Sequence, residues 1–565
     1  MDLNMRPVSD SHDTSKSPSP LDRKCNDYVC TYAALDPLAA TEWGIAGNEG
    51  ELPDFSPTGL EAKSNLDRSM LDYIRDHGPW TGHDAITAAA MEDRLGLSLE
   101  LDQSGENLRE LNNLASPIQA IRDSFDLMPR DTADDWAHIC DRSSKVRAAL
   151  SGYRESLQVA AAQGMVASAR QVLCGITQAK ELAEMTPNSH FGALLQDAPA
   201  NNRSLESALH DAASAYGELA QWLEDTLLPQ APQKDAVGRD RYELFSELFI
   251  GQRVDLDETY AWGLEELRRI DNEQKSIAKE LYGAGTTVSE AMRKLDNDPR
   301  YTIQGIGALR EWMQSLADEA VAQLSGTEFD IPAQLRRIEC MVNRGNGGIY
   351  YTPPTADFSR PGKMWWSVPP NEEQFHTWQE RTTVFHEGVP GHHLQLGQAV
   401  ALSSQLNMWR SLAAWNSGHG EGWALYAEQL MAELGYQDDL GNYFGLLDAE
   451  RLRAARVVVD IGVHLGLPRP DGNGTWDADA AWVFLKNNVA MADGFLRFEL
   501  DRYLGWPGQA PSYKVGAKLW RELRTDYVAM LPSSTPVEQA RRTFHSAALS
   551  LGSLPMSTLR EALIP

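Results

Sequence analysis

The sequence predicts a mainly α-helical protein that contains one small β-sheet. Long segments of the 565-residue chain place apolar side chains three and four positions apart, which is the period of an amphipathic helix. One segment, residues 340–370, departs from this period and consists of short aromatic and β-branched runs separated by glycine and proline. Helical periodicity then resumes, so we expect a helical fold with a β-ribbon in its second half.

Helices are predicted on both sides of this ribbon. The first set covers residues 60–75, 85–97, 105–125, 134–163, 165–183, 204–227, 257–281, 287–295 and 303–324. Residues 229–238 contain two prolines and mixed charge, which predicts a loop. The predicted strands are residues 348–352 and 363–368. The second set of helices covers residues 372–389, 392–411, 421–434, 441–465, 478–488, 491–504, 512–530 and 536–549.

Charge and composition exclude several classes of protein. The formal net charge is −29, from 80 acidic and 51 basic residues. Binding to nucleic acid phosphates requires a basic surface, so we expect no nucleic-acid partner, and an anionic membrane surface is equally disfavoured. No run of 18 apolar residues predicts a transmembrane helix. The acidic field either attracts cationic substrates or serves solubility alone.

The N-terminus and the cysteines indicate a cytoplasmic protein. Residues 1–25 are rich in aspartate, serine and proline and lack the apolar run of a secretory signal, so they predict a flexible tail. The five cysteines are scattered without the spacing of a metal site, which is typical of a reducing compartment. They are Cys25, Cys30, Cys140, Cys174 and Cys340.

A histidine-rich motif is the strongest functional signal in the chain. Residues 386–393 read His-Glu-Gly-Val-Pro-Gly-His-His, and Glu421 follows 28 residues after the last histidine. Two imidazoles and one carboxylate are the ligands of many catalytic zinc ions, and a glutamate beside the first histidine can take a proton from water. We therefore expect zinc to be bound by His386, His392 and Glu421, with Glu387 as the general base.

The spacing of the histidines requires an interrupted helix. The usual zinc motif has histidines four residues apart, but here Pro390 occupies that position and the next histidines are His392 and His393. On a continuous helix these would lie roughly 9 to 10 Å beyond His386, too far to share one ion. We interpret Pro390-Gly391 as a two-residue bulge inside the helix, which leaves either His392 or His393 as the second ligand. Surface histidines around a helix break are the alternative.

The motif resembles the signature of the DUF885 family, His-Glu-x-x-Pro-Gly-His-x-x-Gln, whose members are bacterial proteins related to zincin metallopeptidases. In this chain the match runs from His386 to Gln395. Further resemblance lies in residues 37–54, 350–354, 360–362, 421–426, 456–464, 507–509, 513–516, 544–545 and 551–555. It implies a helical, metallopeptidase-like fold with a central zinc cleft. The segment Lys363-Met364-Trp365-Trp366-Ser367 departs from the family pattern and leaves the pocket shape there open.

Several residues outside the motif are candidates for supporting roles. Glu428 lies two helical turns after Glu421, where it either orients a zinc histidine or is solvated. Arg456, Asp460 and His464 are four residues apart on one helical stripe. In one interpretation Asp460 holds both His464 and Arg456, and His464 donates to the oxyanion that forms when zinc-activated water attacks a carbonyl. The alternative is a structural ion pair.

The resemblance adds further candidates near the expected cleft. Tyr513 and Lys514 form a second pair that could stabilise an oxyanion, because a phenol is a suitable donor. Tyr350, Arg360 and His393 are expected to contact substrate or to support the ligands. The β-ribbon before the motif either pairs with the backbone of a peptide substrate or only covers the core.

These observations together predict a zinc-dependent hydrolase of peptide or other small amide substrates. Residues 26–335 would form a helical N-terminal region and residues 336–565 the zinc-binding catalytic region, with both packed as one unit. Glu387 would accept the proton of zinc-activated water, and His464 and Tyr513 would stabilise the intermediate. Two alternatives stay open. One is a zinc enzyme of small-molecule or natural-product metabolism that acts on a non-peptide amide or ester, or by lyase or transferase chemistry. The other is a non-catalytic helical binding protein.

Overall fold

The mainly helical prediction is confirmed by the computed structural model. The structure describes residues 18–200, 202–345, 348–355 and 358–564, and within these ranges it contains 22 α-helices and five short strands. None of the described helices combines the length and apolarity needed to cross a membrane.

The first nine helices build the N-terminal part of the molecule. They are α1 Pro20–Leu35, α2 Pro37–Trp43, α3 Pro57–His77, α4 His83–Gln103, α5 Pro117–Leu127, α6 Ala133–Ala162, α7 Ala169–Leu182, α8 His190–Asp197 and α9 Arg203–Trp222. Several of these helices begin where the sequence supplies a cap, as in α1, where the Ser19 side chain accepts from the Asp22 amide and the Asp22 carboxylate accepts from the Ser19 amide. Helices α5 to α9 enclose their own apolar core.

The remaining helices build the half that carries the motif. They are α10 Arg239–Ile250, α11 Leu256–Tyr282, α12 Val288–Asp296, α13 Ile306–Leu324, α14 Thr377–Glu387, α15 His392–Ala401, α16 Ser417–Glu433, α17 Leu440–Leu465, α18 Ala478–Asn488, α19 Asp493–Gly505, α20 Gln509–Met530, α21 Val537–Leu549 and α22 Met556–Leu563. The largest apolar core joins Leu21 of α1 to Met313, Trp423 and Leu563. Residues from both ends of the chain therefore share one core.

The strands are β1 Thr302–Gln304, β2 Ile338–Arg344, β3 Ile349–Thr352, β4 Gly362–Val368 and β5 Gln374–His376. Strand β4 lies between β2, which is parallel to it, and β3, which is antiparallel. The Gln314 side chain covers the outer edge of β2 by bonding the Ile338 carbonyl and the Cys340 amide at 3.0 Å each. Within the described residues no strand pairs with the outer edge of β3, which makes β3 an edge strand of this sheet.

Some predicted boundaries are corrected by the structure. Of the expected tail, residues 1–17 lie outside the described residues, whereas residues 20–25 begin α1 and Cys25 is fully buried. The predicted helix at residues 105–125 is divided, because α5 starts only at Pro117. The predicted helix at residues 392–411 ends at Ala401.

Helices α16 and α20 pack at very short range because both carry glycine at the contact. A Cβ on Gly422 would lie 2.6 Å from the carbonyl carbon of Gly516. A Cβ on Gly516 would lie 2.2 Å from the carbonyl oxygen of Gly418. Real Cβ atoms do not approach backbone this closely, so a side chain on either helix would push the two apart. This contact places the beginning of α16, and with it Glu421, against α20.

We expect Gly422→Ala to lower the free energy of unfolding by about 1–3 kcal/mol, because the added methyl group overpacks the α16–α20 contact. Gly96→Ala is the matched control, since Gly96 lies within α4 and a Cβ there meets nothing within 4 Å. In the Gly96→Ala control the free energy of unfolding should rise by up to about 1 kcal/mol, because alanine has the higher helix propensity. Thermal or denaturant unfolding of the two variants measures the contrast, and equal stabilities would contradict the close-packing argument.

Candidate metal centre

The two motif histidines lie on separate helices. Helix α14 ends at Glu387 and α15 begins at His392. The Gly391 amide donates to the Phe385 carbonyl at 3.1 Å, and a Cβ on Gly391 would lie 1.9 Å from the His386 carbonyl oxygen. The interpretation as a two-residue bulge within one helix is therefore corrected: the helix stops and a second one starts. The chain turns back closely enough only because residue 391 has no side chain.

This turn brings three ligand atoms together. The Nε2 atoms of His386 and His392 lie 3.4 and 3.5 Å from one carboxylate oxygen of Glu421. All three ligand atoms lie within 4.8 Å of one another. A tetrahedral zinc ion with bonds of roughly 2.1 Å holds its ligand atoms about 3.4 Å apart. The donor set and its spacing thus fit a divalent zinc ion.

The structure separates the roles of His392 and His393. The His393 ring is fully buried, its Nε2–H donates to the Leu335 carbonyl at 2.8 Å, and its Nδ1 accepts from the Tyr351 hydroxyl at 2.9 Å. Burial lowers the pKa of His393 to about 4, so the ring is neutral. Both ring nitrogens are occupied, which leaves His392 as the second candidate ligand. His393 instead ties α15 to β3.

Glu428 contacts His386, the first candidate ligand. Of the two roles predicted for Glu428, orienting a histidine or being solvated, the structure thus has the first. One of its carboxylate oxygens accepts from His386 Nδ1 at 2.8 Å, and the other accepts from the Thr382 hydroxyl. An Arg453 nitrogen lies 3.9 Å from the same carboxylate. Because Nδ1 donates to Glu428, Nε2 is the ring nitrogen of His386 that faces Glu421 and that could bind a metal. Sequence reasoning missed the support from Thr382 and Arg453.

The charges of these groups are strongly coupled. Burial by itself lowers the pKa of His386, but hydrogen bonds to Glu421 and Glu428 outweigh it and raise that pKa to about 10. Burial alone would raise the pKa of Glu421, but hydrogen bonds from His386 and His392 hold it well below its usual range. The pKa values of His386 and Glu421 thus depend on each other, because each group stabilises the charged form of its partner.

Glu387 differs from the other two carboxylates because one of its oxygens has no partner. The side chain is 6% exposed, and its Oε2 atom accepts no hydrogen bond from any described residue. Burial raises the pKa of Glu387, and the positive charge of His392 and His386 opposes this shift. A buried carboxylate with a free oxygen beside the ligand atoms is a suitable proton acceptor.

Hydrogen bonds from three side chains fix the position of helix α16 at this site. Trp423 Nε1 donates to the Pro390 carbonyl at 2.8 Å, and Trp520 Nε1 donates to the His419 carbonyl at 3.0 Å. The Gln395 amide lies 3.3 Å from the same carbonyl and 3.0 Å from His419 Nδ1. No role was predicted for Gln395 or His419, although Gln395 is the last residue of the family signature. The contacts between these two residues fix the backbone just before Glu421.

The structure corrects the predicted contact between Asp460 and His464. Asp460 accepts from the Tyr242 hydroxyl at 2.6 Å and from the Gly508 amide at 2.9 Å, not from His464. His464 stacks on Tyr242 with 5.6 Å between ring centroids, and its Nε2 donates to the Tyr503 carbonyl at 2.9 Å. Neither residue contacts a candidate ligand, because α10 and α19 pack against this part of α17.

Arg456 and Tyr513 form a different group nearer the ligands. Arg456 donates to Glu499 at 2.8 Å and to the Tyr503 hydroxyl at 2.9 Å rather than to Asp460. Its guanidinium carbon lies 5.1 Å from the centre of the Tyr513 ring. Burial raises the pKa of Tyr513, and the carboxylate of Glu421 raises it further, which places the phenol in the field of that ligand.

The other candidates from the sequence do not reach the ligands. Lys514 is fully buried and forms ion pairs with Glu266 at 3.2 Å and Glu450 at 3.3 Å, so it joins three helices. Tyr350 on β3 is 46% exposed and stacks on Trp365. Arg360 is exposed and donates to the Pro353 carbonyl at 3.3 Å.

Comparison with known proteins places the chain in a family. The family model DUF885, "Bacterial protein of unknown function", matches residues 37–563. A putative lipoprotein from Colwellia psychrerythraea, known from its crystal structure, is similar over 96% of this chain and 98% of its own, with 21% identity and a TM-score of 0.81. A putative lipoprotein of unknown function from Shewanella oneidensis matches 97% of this chain and 100% of its own, with 15% identity and a TM-score of 0.74. These two likenesses concern the fold, and no curated protein matches the chain. Because the family model spans nearly its whole length, this protein belongs to the DUF885 family.

Proposed function

We propose that the protein is a zinc-dependent hydrolase of amide bonds, related to the zincin metallopeptidases and acting on peptides. The observation that carries the proposal is the convergence of His386, His392 and Glu421 beside a buried glutamate with a free oxygen. Catalytic zinc sites use three protein ligands and keep one position for water or substrate. Three candidate ligands converge in this protein, which supports the proposal. A purely structural zinc site would be closed by a fourth side chain.

The residues of the chain divide the chemistry between them. When bound, zinc supplies a Lewis acid that makes water nucleophilic near neutral pH. Glu387 accepts the proton of the attacking water and passes it to the leaving amine. Tyr513 donates a hydrogen bond to the oxygen that becomes negative in the tetrahedral intermediate. Glu428 keeps His386 in the tautomer that binds the metal.

His464, the other donor expected from the sequence, is not part of this scheme. Its Nε2–H is used by the Tyr503 carbonyl, and its ring lies against Tyr242. The oxyanion role is therefore assigned to Tyr513 alone.

The open edge of β3 favours an extended peptide over a compact amide. Tyr351 of β3 donates to His393, the neighbour of His392, so the strand is fixed to the metal-binding segment. A peptide that pairs with β3 gains backbone hydrogen bonds without requiring a specific side chain. We therefore infer that β3 positions the substrate backbone across the site.

Glu387→Gln tests the general base. We expect kcat against a peptide library to fall about 10²- to 10⁴-fold, because glutamine cannot accept the proton. The zinc content of the purified variant, measured by elemental analysis, should equal that of the wild type, since Glu387 is not a ligand. Undiminished hydrolysis with zinc bound would remove Glu387 from the mechanism.

Glu428→Gln tests the partner of His386. We expect zinc affinity to fall about 10- to 100-fold, because the neutral amide no longer fixes the imidazole. In the metal-free protein the pKa of His386 is raised to about 10, so zinc has to compete with a proton for this ring near neutral pH. We therefore expect the zinc affinity of the wild type to rise with pH between 6 and 8. Titration against a competing chelator measures both effects. Glu433→Gln, on the exposed end of the same helix, should bind zinc as the wild type does.

Tyr513→Phe tests the oxyanion donor. We expect kcat to fall about 10²- to 10³-fold with little change in KM, because the hydrogen bond strengthens only as charge develops. Tyr527→Phe, on the same helix, removes a hydroxyl with no hydrogen bond to any described residue and serves as control. An equal loss in both variants would assign the effect to the stability of α20.

A further inference from the structure

A large cavity lies next to the candidate metal centre. Its volume is about 750 Å³, within the range of roughly 300 to 1,000 Å³ that is usual for small-molecule sites. Its walls come from α1 to α5 on one side and from the segment before α16 on the other. The cavity is therefore formed where the N-terminal helices face the catalytic half.

Trp415 connects this cavity to the candidate ligands. It lines the cavity and is 45% exposed, which is unusual for so large an apolar side chain. Its ring centroid lies 6.4 Å from that of His392, and a Cβ on Gly420, the neighbour of Glu421, would lie 2.2 Å from its ring. A substrate held at the metal centre can thus extend past Trp415 into the cavity.

The aromatic walls of the cavity already hold one cation. The Lys63 ammonium lies 5.8 Å from the Tyr32 ring centre and 6.0 Å from that of Phe55, and it pairs with Asp36 at 2.6 Å. The faces of aromatic rings attract ammonium and guanidinium groups. Trp43 and Trp415 line the same cavity and present further rings to its space.

Two carboxylates in the cavity have no partner. Glu42 and Glu110 line it, and neither carboxylate accepts a hydrogen bond or forms an ion pair within 4.0 Å among the described residues. The hydrogen bond that Glu110 accepts from the Tyr153 hydroxyl is made by its backbone carbonyl. Both residues are exposed, yet the surrounding walls partly desolvate their carboxylates. This desolvation raises the pKa of Glu110 to about 7, although the charge of Lys63 opposes the shift. Desolvation raises the pKa of Glu42 as well, with Asp36 adding to the shift. Both carboxylates would be stabilised by a bound cation.

Acidic residues outnumber basic ones in the lining of the cavity. The acidic residues are Asp36, Glu42, Asp67, Glu110 and Asp123, and the basic residues are Lys63 and Arg94. Lys63 is held by Asp36, and Arg94 donates to the Leu248 carbonyl at 2.7 Å. The charge of the lining therefore favours a cationic group over an anionic one.

The hydroxyl of Ser64 gives the cavity one neutral hydrogen-bonding group, which can both accept and donate. Ser64 lines the cavity and is only 4% exposed. Its hydroxyl makes no hydrogen bond with any residue in the described part of the chain. Buried hydroxyls normally have partners, so this one is suited to a polar group of a ligand.

We propose that this cavity binds a positively charged group of the substrate, a guanidinium or an ammonium, on one side of the bond that is cleaved. This specificity rests on the proposed function for its role in catalysis, but binding of the cation itself does not require hydrolysis. The aromatic walls and Ser64 provide the shape, and Glu42 and Glu110 provide the charge.

The hydrolysis experiment compares peptides that contain arginine or its neutral isostere citrulline at each position around the cleaved bond. We expect kcat/KM to favour arginine about tenfold or more at one position, because a charge-assisted hydrogen bond contributes that much. Peptides with a free or an acetylated N-terminus distinguish a side chain from a terminal ammonium as the bound group. Glu110→Gln and Glu42→Gln should each reduce the preference. Glu155→Gln, an exposed carboxylate on α6 outside the cavity, should leave it unchanged.

A binding experiment separates this inference from the proposed function. Calorimetry of the zinc-loaded protein with N-acetyl-arginine amide and N-acetyl-citrulline amide measures recognition without turnover. Binding of the arginine compound that is lost in Glu110→Gln supports the cavity assignment even if no amide is hydrolysed, in which case only the proposed function fails. Hydrolysis without a charge preference, or a preference that both glutamine variants retain, overturns the cavity assignment. If the protein neither hydrolyses an amide nor binds the arginine compound, the cavity assignment and the proposed function are both overturned.

Discussion

The close approach of Gly391 to the end of α14 is the constraint on which the site depends. Because residue 391 lacks a side chain, its backbone can lie against the His386 carbonyl and the chain can begin α15 immediately. His386 and His392, too far apart for one helix, then face the same carboxylate of Glu421. Trp423 bonds the Pro390 carbonyl from α16, so the turn and the third ligand are fixed to each other.

The electrostatics of the site explain why it is built from charged side chains in a buried position. Three carboxylates, Glu387, Glu421 and Glu428, lie beside two imidazoles. Burying such groups is costly unless each is paired, and the pairings found are Glu421 with both histidines and Glu428 with His386 and Thr382. Glu387 keeps a buried oxygen that has no hydrogen-bond partner among the described residues. A divalent cation would compensate the negative charge of the group, which is the physical reason to treat this arrangement as a candidate metal centre.

Much of the fold could be predicted because long amphipathic helices carry their own period. The predicted helix at residues 478–488 has the observed bounds of α18, and the strand at residues 363–368 is the body of β4. The failures have physical causes. Residues 105–125 keep a helical period, but Pro117 begins a new helix capped by Ser116. Arg456, Asp460 and His464 share a stripe, yet α10 and α19 supply each of them with a different partner.

The sequence by itself determined the helical class, the positions of most helices and of the strands β3 and β4, and the identity of the ligand candidates His386 and Glu421, because periodicity and residue chemistry are local properties. Only the tertiary structure decided between His392 and His393, since the choice depends on Leu335 and Tyr351, which are distant in sequence. It alone brought Trp415 and the N-terminal helices together around one cavity. Such placements follow from the packing of distant helices, and no short segment of the chain encodes them.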